Sequence, residues 1–381
     1  MQIQIPENIA VIIDRLEKSG YEAYIVGGCV RDSLLGLTPK DYDVCTNAKP
    51  KDIISLFEKT VNTGIKHGTV TVISAGMPIE VTTFRTEGEY KDFRRPDSVS
   101  FVSSLRDDLS RRDFTINAIC YNESRGLIDY FGGICDLENK VLKTVGEPEK
   151  RFREDALRIL RLFRFCSALD FAPEELTLDC AIGNAHLLKN ISAERIEKEL
   201  RLTAYGKEPE AILPLLETKC LPTLRGNKKI ERIKELPQKT DLRFFAFLRL
   251  TSSNLSDTLG FLKCSNPFRK YCEKMDCAIG KEIKTRADIK RLLRPFENDI
   301  FDLFSYKSVI YGEETQTLTN ITKEIIKNGE PYKLSHLAIK GGDIAEKGYK
   351  GKQIGDVLEK LLDSVIENPD INTKEKLKAL F

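Results

Sequence analysis

The segment Gly27-Gly28-Cys29-Val30-Arg31-Asp32 is followed closely by Asp41-Tyr42-Asp43, and these residue types suit phosphate chemistry. Adjacent glycines at a predicted strand-to-helix turn let the backbone approach an anion with no Cβ in the way. The helix that follows opens with unpaired N–H groups, and Arg31 adds a cation one helical step further on. On a strand, residues two apart share a face, so the Asp41 and Asp43 carboxylates are expected to converge. Mg²⁺ takes hard oxygen ligands, usually one or two carboxylates together with substrate phosphate oxygens. A pair of such ions can hold both the attacking and the leaving oxygen of an in-line displacement. A solvated turn would use the same Pro39-Lys40-Asp41-Tyr42-Asp43, so the glycine loop upstream is what gives the aspartates a chemical reading. Glu80, on the predicted strand IEVTTFR, is a third carboxylate able to polarise an attacking hydroxyl or to help hold a catalytic metal.

Further along, Arg112, Asp113 and Asn117 fall in a predicted helix over 105–117, where Asp113 and Asn117 share a face. A guanidinium fork matches phosphate, although a surface salt-bridge helix would carry the same charges. The stretch 149–169 reads as one helix with a Leu157/Leu160/Phe163 core stripe, on which arginines could simply snorkel. It also places Asp155 and Arg158 three apart on one face, with Arg161 and Arg164 behind them. Cytosine and adenine each present an exocyclic amine beside an unprotonated ring nitrogen. A carboxylate accepts from the first and a guanidinium donates to the second, while uracil and guanine present the reverse order. Rejection by unpaired polar groups is worth ~10⁴ in rate, enough for a polymerase without a nucleic-acid template.

These motifs carry a resemblance. GGCVRD…DYDV resembles the head signature of polymerase-β-like nucleotidyltransferases, and more narrowly of class II tRNA CCA-adding enzymes and their bacterial poly(A) polymerase relatives. Arg111 to Ala118 is similar to the family's RRDFTxNA motif, which implies that Arg112 contacts the triphosphate or ribose. The resemblance likewise implies a catalytic role for Glu80, and base reading by Asp155 and Arg158 through an E-D-x-x-R motif. Arg161 and Arg164 then lie near triphosphate or base. Asp129-Tyr130-Phe131-Gly132-Gly133 matches a head-to-neck hinge. SAERIEKELR (192–201) matches the last neck motif, with Ser192 as its N-cap, and is expected to buttress the pocket. EGEYKDFRRPDSV resembles the family's flexible loop, which helps the switch from adding C to adding A. The stretch LAIKGGDIAEKGYKGKQIGDVLEKLL resembles the family's tail. Lys347, Lys350 and Lys352 there would suit a phosphate backbone, the acceptor or TΨC arm of tRNA, or equally a solvated helix–turn–helix. The implied activity is stepwise addition of C, C and A to tRNA 3′ ends from CTP and ATP, with Mg²⁺ as cofactor and pyrophosphate released. An A-adding enzyme, a poly(A) polymerase and an inactive RNA-binding protein are the alternatives.

The elements that must position these residues fall into a β-rich first half and a helical second half. Ile9, Ile12, Ile13 and Leu16 recur at helical spacing, with Gly20 placed to stop the helix. Strands are expected over 21–26 and 41–44, with helices over 30–35 and 52–59. A hairpin is expected at 69–73 and 79–84 around Ala75-Gly76, with further strands at 127–130 and 141–145. A polar loop is expected from 85 to 96, and a new helix at Gly355 in the tail. The expected fold is α+β: a polymerase-β-like head with a mixed sheet over 1–148, then a helical neck over 149–207, body over 208–300 and tail over 301–381. Hydrophobic residues at 41% and charged residues at 31% are those of a globular protein. No apolar run approaches the ~18 residues of a membrane span, and no signal-like N-terminus is present, so no membrane is expected. The ten cysteines form no C-x-x-C pair and only three histidines occur, which argues for reduced thiols in a cytoplasmic protein and against zinc. No clustered His-Asp pair suggests an appended phosphohydrolase. A net charge of +2 leaves nucleic-acid binding to the placement of charge.

Overall fold

The computed structural model describes residues 3–88 and 99–381. They form two compact units, residues 1–228 with 251–263 and residues 229–250 with 264–381.

In the first unit the stripe Ile9, Ile12, Ile13 and Leu16 makes one face of α1 (Glu7–Lys18), and Gly20, at φ 87°, turns the chain out of it. There follow β1 (Ala23–Val26), α2 (Gly28–Leu34), β2 (Asp43–Thr46), α3 (Pro50–Leu56), β3 (Thr60–Gly64), β4 (Thr69–Ser74) and β5 (Met77–Thr83). Next come β6 (Arg85–Glu87), β7 (Val99–Phe101), α4 (Leu105–Ser110), β8 (Ile119–Asn122), β9 (Gly126–Asp129), α5 (Gly133–Glu138) and β10 (Val141–Leu142). The unit continues through α6 (Pro148–Glu154), α7 (Leu157–Leu169), β11 (Ala172–Pro173), α8 (Glu175–Gly183) and α9 (Ala193–Tyr205). Seven strands form a mixed sheet in the order β3-β4-β5-β2-β1-β8-β9, in which β2 and β5 run parallel and the remaining neighbours antiparallel. The expected α+β architecture is therefore observed.

Alternation along the strands buries both faces of this sheet. Ile25, Val44, Val70, Val72 and Val81 pack with the α1 stripe. Tyr24, Val26, Cys45 and Cys120 point the other way, onto Phe84, Leu105 and Leu109. The β4–β5 hairpin turns at Ala75 and Gly76, both at positive φ as a tight two-residue hairpin turn requires.

Several elements differ from expectation. Strand β2 begins at Asp43, so Asp41 precedes it rather than lying in it. The predicted helix over 105–117 stops at Ser110. Phe114 is extended and bridges to Thr144, and Thr115–Asn117 is a short 3-10 turn leading into β8. The predicted helix over 149–169 is two helices, α6 and α7, broken at Asp155 with φ −136° and ψ 102°. Arg85–Glu87 is a strand paired with Val99–Phe101 rather than loop, and the rest of the loop reading lies outside the described residues. Leu142 and Pro173 extend pairing into the helical part through the β10–β11 parallel contact.

The second unit is helical, with Asn266–Ile279, Arg286–Phe296, Ile300–Tyr306, Gln316–Lys327 and Lys352–Glu367 as its main elements. The last begins at Lys352, so Gly355 lies inside it and does not open it. Leu361, Leu362, Val365 and Ile366 on that helix pack with Leu337, Ile344 and Leu377. Lys290 is buried and bridges to Glu330 at 3.0 Å, and Arg286 reaches the same carboxylate. Among the described residues, no helix is long and apolar enough to cross a membrane.

Candidate active site

Strand register assembles the carboxylates. Asp43 lies directly opposite Glu80 in the parallel β2–β5 pair and opposite Val26 in the antiparallel β1–β2 pair. In-register neighbours share a face, so Asp43 and Glu80 stand together beyond the apolar layer of Val26 and Cys45, at the sheet end where β1 runs into Gly27. Asp41, Asp43 and Glu80 are all exposed. The Asp43 carboxyl is pushed above its usual range, first by partial loss of hydration among its neighbours and then by the charges of Glu80 and Asp41, with Arg112 opposing the shift. A cation placed among the three would relieve that repulsion. The donors are all carboxylate oxygens, the set that suits a hard divalent ion completed by phosphate oxygens. Among the described residues, no three His, Cys, Asp or Glu side chains are gathered tightly enough to hold a metal by themselves.

The turn between β1 and α2 is built on Gly27. Its φ of 81° is open to glycine and strained for other residues, and a Cβ there would sit 3.0 Å from Nη1 of Arg112. Gly27 N–H donates to the Ile119 carbonyl at 3.1 Å, which fixes the turn to β8. Gly28 begins α2, and Arg31 on that helix donates through Nη1 to Oδ1 of Asn117 at 2.7 Å and through Nη2 to Asp32 at 2.6 Å. Arg112 lies against the Gly27 turn. Burial works against its charge, but the surrounding acids, Asp108 foremost, hold its pKa above the usual value. Asp108 is fully buried between Arg111 at 2.8 Å and Arg112 at 3.6 Å. Asp108 is not among the residues singled out from sequence, although its i,i+3 and i,i+4 spacing to Arg111 and Arg112 is the signal for it.

Asp113 and Asn117 do meet, but through the extended-then-turned backbone and not across a helix: Asn117 Nδ2 donates to Asp113 Oδ1 at 3.0 Å. The other oxygen, Oδ2, accepts from Arg161 Nε at 2.7 Å. Burial opposes ionisation of Asp113, yet Arg161 and Asn117 hold its carboxyl well below the usual carboxylate range. Arg31, Arg161 and Arg164 all lie over the buried Phe165 ring, at 5.2, 5.3 and 4.2 Å from its centroid. Phe165 was not singled out from sequence, where it reads as core. Burial and then the neighbouring Arg161 lower Arg164 to about 10, with Glu199 and Asp113 opposing the shift.

Asp155 and Arg158 are not held as one helical face would hold them. Asp155 sits at the α6–α7 break, where Oδ1 accepts from the Leu157 N–H at 3.0 Å and Oδ2 pairs with Arg195 Nη2 at 3.1 Å. Arg158 pairs with Glu154 at 3.1 Å and donates to the Arg111 carbonyl at 2.9 Å, a contact between α7 and the end of α4. From α9, Glu199 reaches Arg164 at 3.2 Å. Ser192 occupies the N-cap position of α9 without making a side-chain capping bond. Asp129 accepts from the N–H groups of Phe131, Gly133 and Ile134 and so caps α5, a structural role.

In the second unit, Lys347, Lys350 and Lys352 are exposed. Lys347 donates to the carbonyls of Lys378 and Phe381 at 2.6 and 3.0 Å and lies over the Phe381 ring.

Comparison with known proteins follows this geometry. Residues 23–143 match the family described as Poly A polymerase head domain. The CCA-adding enzyme of Ligilactobacillus salivarius (strain UCC118) is 37% identical over 385 residues, covering 96% of this chain and 93% of its own. That of Geobacillus stearothermophilus is 49% identical over 226 residues, covering 58% of this chain and 56% of its own. The crystal structure of the Bacillus stearothermophilus CCA-adding enzyme in complex with CTP is similar with a TM-score of 0.84 at 32% identity, covering 99% of this chain and 97% of that one.

Proposed function

The chain belongs to the CCA-adding enzyme family, and from that membership we propose that Asp41, Asp43 and Glu80 carry its chemistry, the addition of C, C and A to the 3′ end of tRNA. CTP and ATP are its nucleotide substrates, and pyrophosphate is released. The observation that carries the assignment is the register of Asp43 with Glu80 beside the Gly27 turn.

Enzymes of this family generally use a divalent metal, and the carboxylate oxygens of Asp41 and Asp43 fit Mg²⁺. Such an ion supplies charge neutralisation at the reacting phosphate and favours the ionised hydroxyl. Glu80, beside Asp43, is the group to polarise the tRNA 3′-hydroxyl. Gly27 and Gly28 give a phosphate close backbone approach, while the guanidinium groups of Arg31 and Arg112 beside them meet its charge. Asp113 and Asn117 hold Arg161 and Arg31 in place for the same end of the nucleotide. Arg161 and Arg164 extend the positive surface toward the base, and Asp155 with Arg158 reads it, the carboxylate accepting from the amine and the guanidinium donating to the ring nitrogen.

We retain the division into head (1–148), neck (149–207), body (208–300) and tail (301–381); the seam between compact units at residue 228 falls inside the body. Lys350 and Lys352 are the better candidates for the acceptor or TΨC arm, because Lys347 is engaged by the chain itself. The reaction belongs in the cytoplasm, with its tRNA and nucleotides.

Replacing Asp43 by Asn keeps the shape of an exposed strand end and removes the charge. We expect incorporation of CMP into tRNA lacking its CCA end to fall by about 10³-fold or more in Asp43→Asn, with tRNA affinity retained. Turnover within tenfold of the parent would remove Asp43 from the chemistry.

A further inference from the structure

Each member of the base-reading pair is held by a partner of its own: Arg158 by Glu154, and Asp155 by Arg195. The second pairing crosses elements. Arg195 lies in the first turn of α9, forty residues after Asp155 in the chain. One turn further on, Glu199 stands on the same face of α9 and pairs with Arg164 of α7. This helix face therefore offers a cation to the carboxylate at the α6–α7 break and a carboxylate to an arginine of the cluster over Phe165.

We propose that Arg195 is a positioning residue for nucleotide selection, orienting the Asp155 carboxylate to accept from the amine of cytosine or adenine; this rests on the assignment of Asp155 as a base reader. Asp155 needs such a support because its backbone is extended at the junction of two helices, so its side chain does not follow either helical face. With Oδ1 bound to the Leu157 N–H and Oδ2 to Arg195, both oxygens are fixed, and each keeps a second lone pair for a base. Without Arg195 one bond remains, and the carboxylate can rotate about it. Arg195 is not fully satisfied as a structural ion pair either: its Nη1 is buried with no hydrogen-bond acceptor among the described residues. A buried donor left unpaired costs stability, and retaining one is understandable where the guanidinium is fixed by its duty to Asp155.

The test is single-nucleotide extension of tRNA lacking CCA, with kcat/KM for CTP and for UTP measured in the parent, Asp155→Ala, Arg195→Met, Arg195→Lys and the Asp155→Ala/Arg195→Met double variant, with tRNA affinity measured for each. A one-ångström misplacement of a reacting partner costs up to about a hundredfold. The CTP-over-UTP ratio is therefore expected to fall roughly ten- to a hundredfold in Arg195→Met, with partial recovery in Arg195→Lys and unchanged tRNA affinity. The double variant should match Asp155→Ala alone. If Arg195→Met lowers both nucleotides equally and keeps the ratio, Arg195 is only structural and the inference is wrong. If Asp155→Ala shifts the ratio while Arg195→Met does not, the Arg195 inference alone falls. A ratio unmoved in Asp155→Ala removes the base-reading assignment beneath it.

Discussion

Asp113 shows how a residue chosen for one reason can act for another. Its spacing to Asn117 suggested a shared helical face, yet the two meet because Phe114 is extended and Thr115–Asn117 turns back. The side chain faces Arg161 of α7, so it ties the turn before β8 to the helix carrying the arginines over Phe165. Its folded pKa lies below the unfolded carboxylate value of about 3.9, so its contribution is complete above that pH and is lost as pH falls toward the folded value. Asp113→Asn is expected to cost about 2–3 kcal/mol at pH 7 by chemical denaturation, with the gap from the parent narrowing below pH about 4. Equal stabilities at pH 7 would mean that the ion pair is not maintained in solution. At this scale, residue types were legible and partners were not. Asp41 and Asp43 stood out by chemistry, Glu80 by its strand and its motif, and Asp108 was readable from its spacing to Arg111 and Arg112, whereas Arg195 and Phe165 depend on which elements pack, which spacing alone does not tell.

The elements show where local pattern was sufficient. The α1 stripe and the Ala75-Gly76 hairpin follow directly from periodicity and turn chemistry. Strand β8 was read through because its Ile119-Cys120-Tyr121-Asn122 is buried at every position, which erases the alternation that marks a half-exposed strand. The break at Asp155 was invisible for a similar reason, since charged and apolar residues continue at helical spacing across it. Gly133 makes an element-scale prediction. A Cβ there would lie 2.2 Å from the Thr115 carbonyl oxygen, in the turn that carries Asn117. Backbone cannot move aside as a flexible side chain can, so Gly133→Ala is expected to destabilise the first unit by about 1–3 kcal/mol or more. Thermal unfolding checks this, and an unchanged transition would show that α5 can withdraw from the turn.

For the whole molecule, the α+β plan was legible because a β-rich half gives way to a helical one. The seam between the compact units was not, since the chain leaves the first unit at residue 228 and returns to it over 251–263. Similarity to CCA-adding enzymes extends over 96% of the chain, so the first unit and the helices of the second belong to one enzyme. In the proposed account the carboxylates serve nucleotidyl transfer without choosing the nucleotide, and the neck is assigned that choice. One enzyme adding all three residues must therefore accept successive tRNA ends with changing nucleotide preference. The direct test offers the purified protein, with Mg²⁺, tRNA ending before CCA, after C and after CC, with each nucleotide supplied separately. The account predicts incorporation of C on the first two ends and of A on the third, with neither U nor G used efficiently and no extension beyond the finished end. Incorporation of A alone, only on tRNA already ending in CC, or long runs of A, would contradict it.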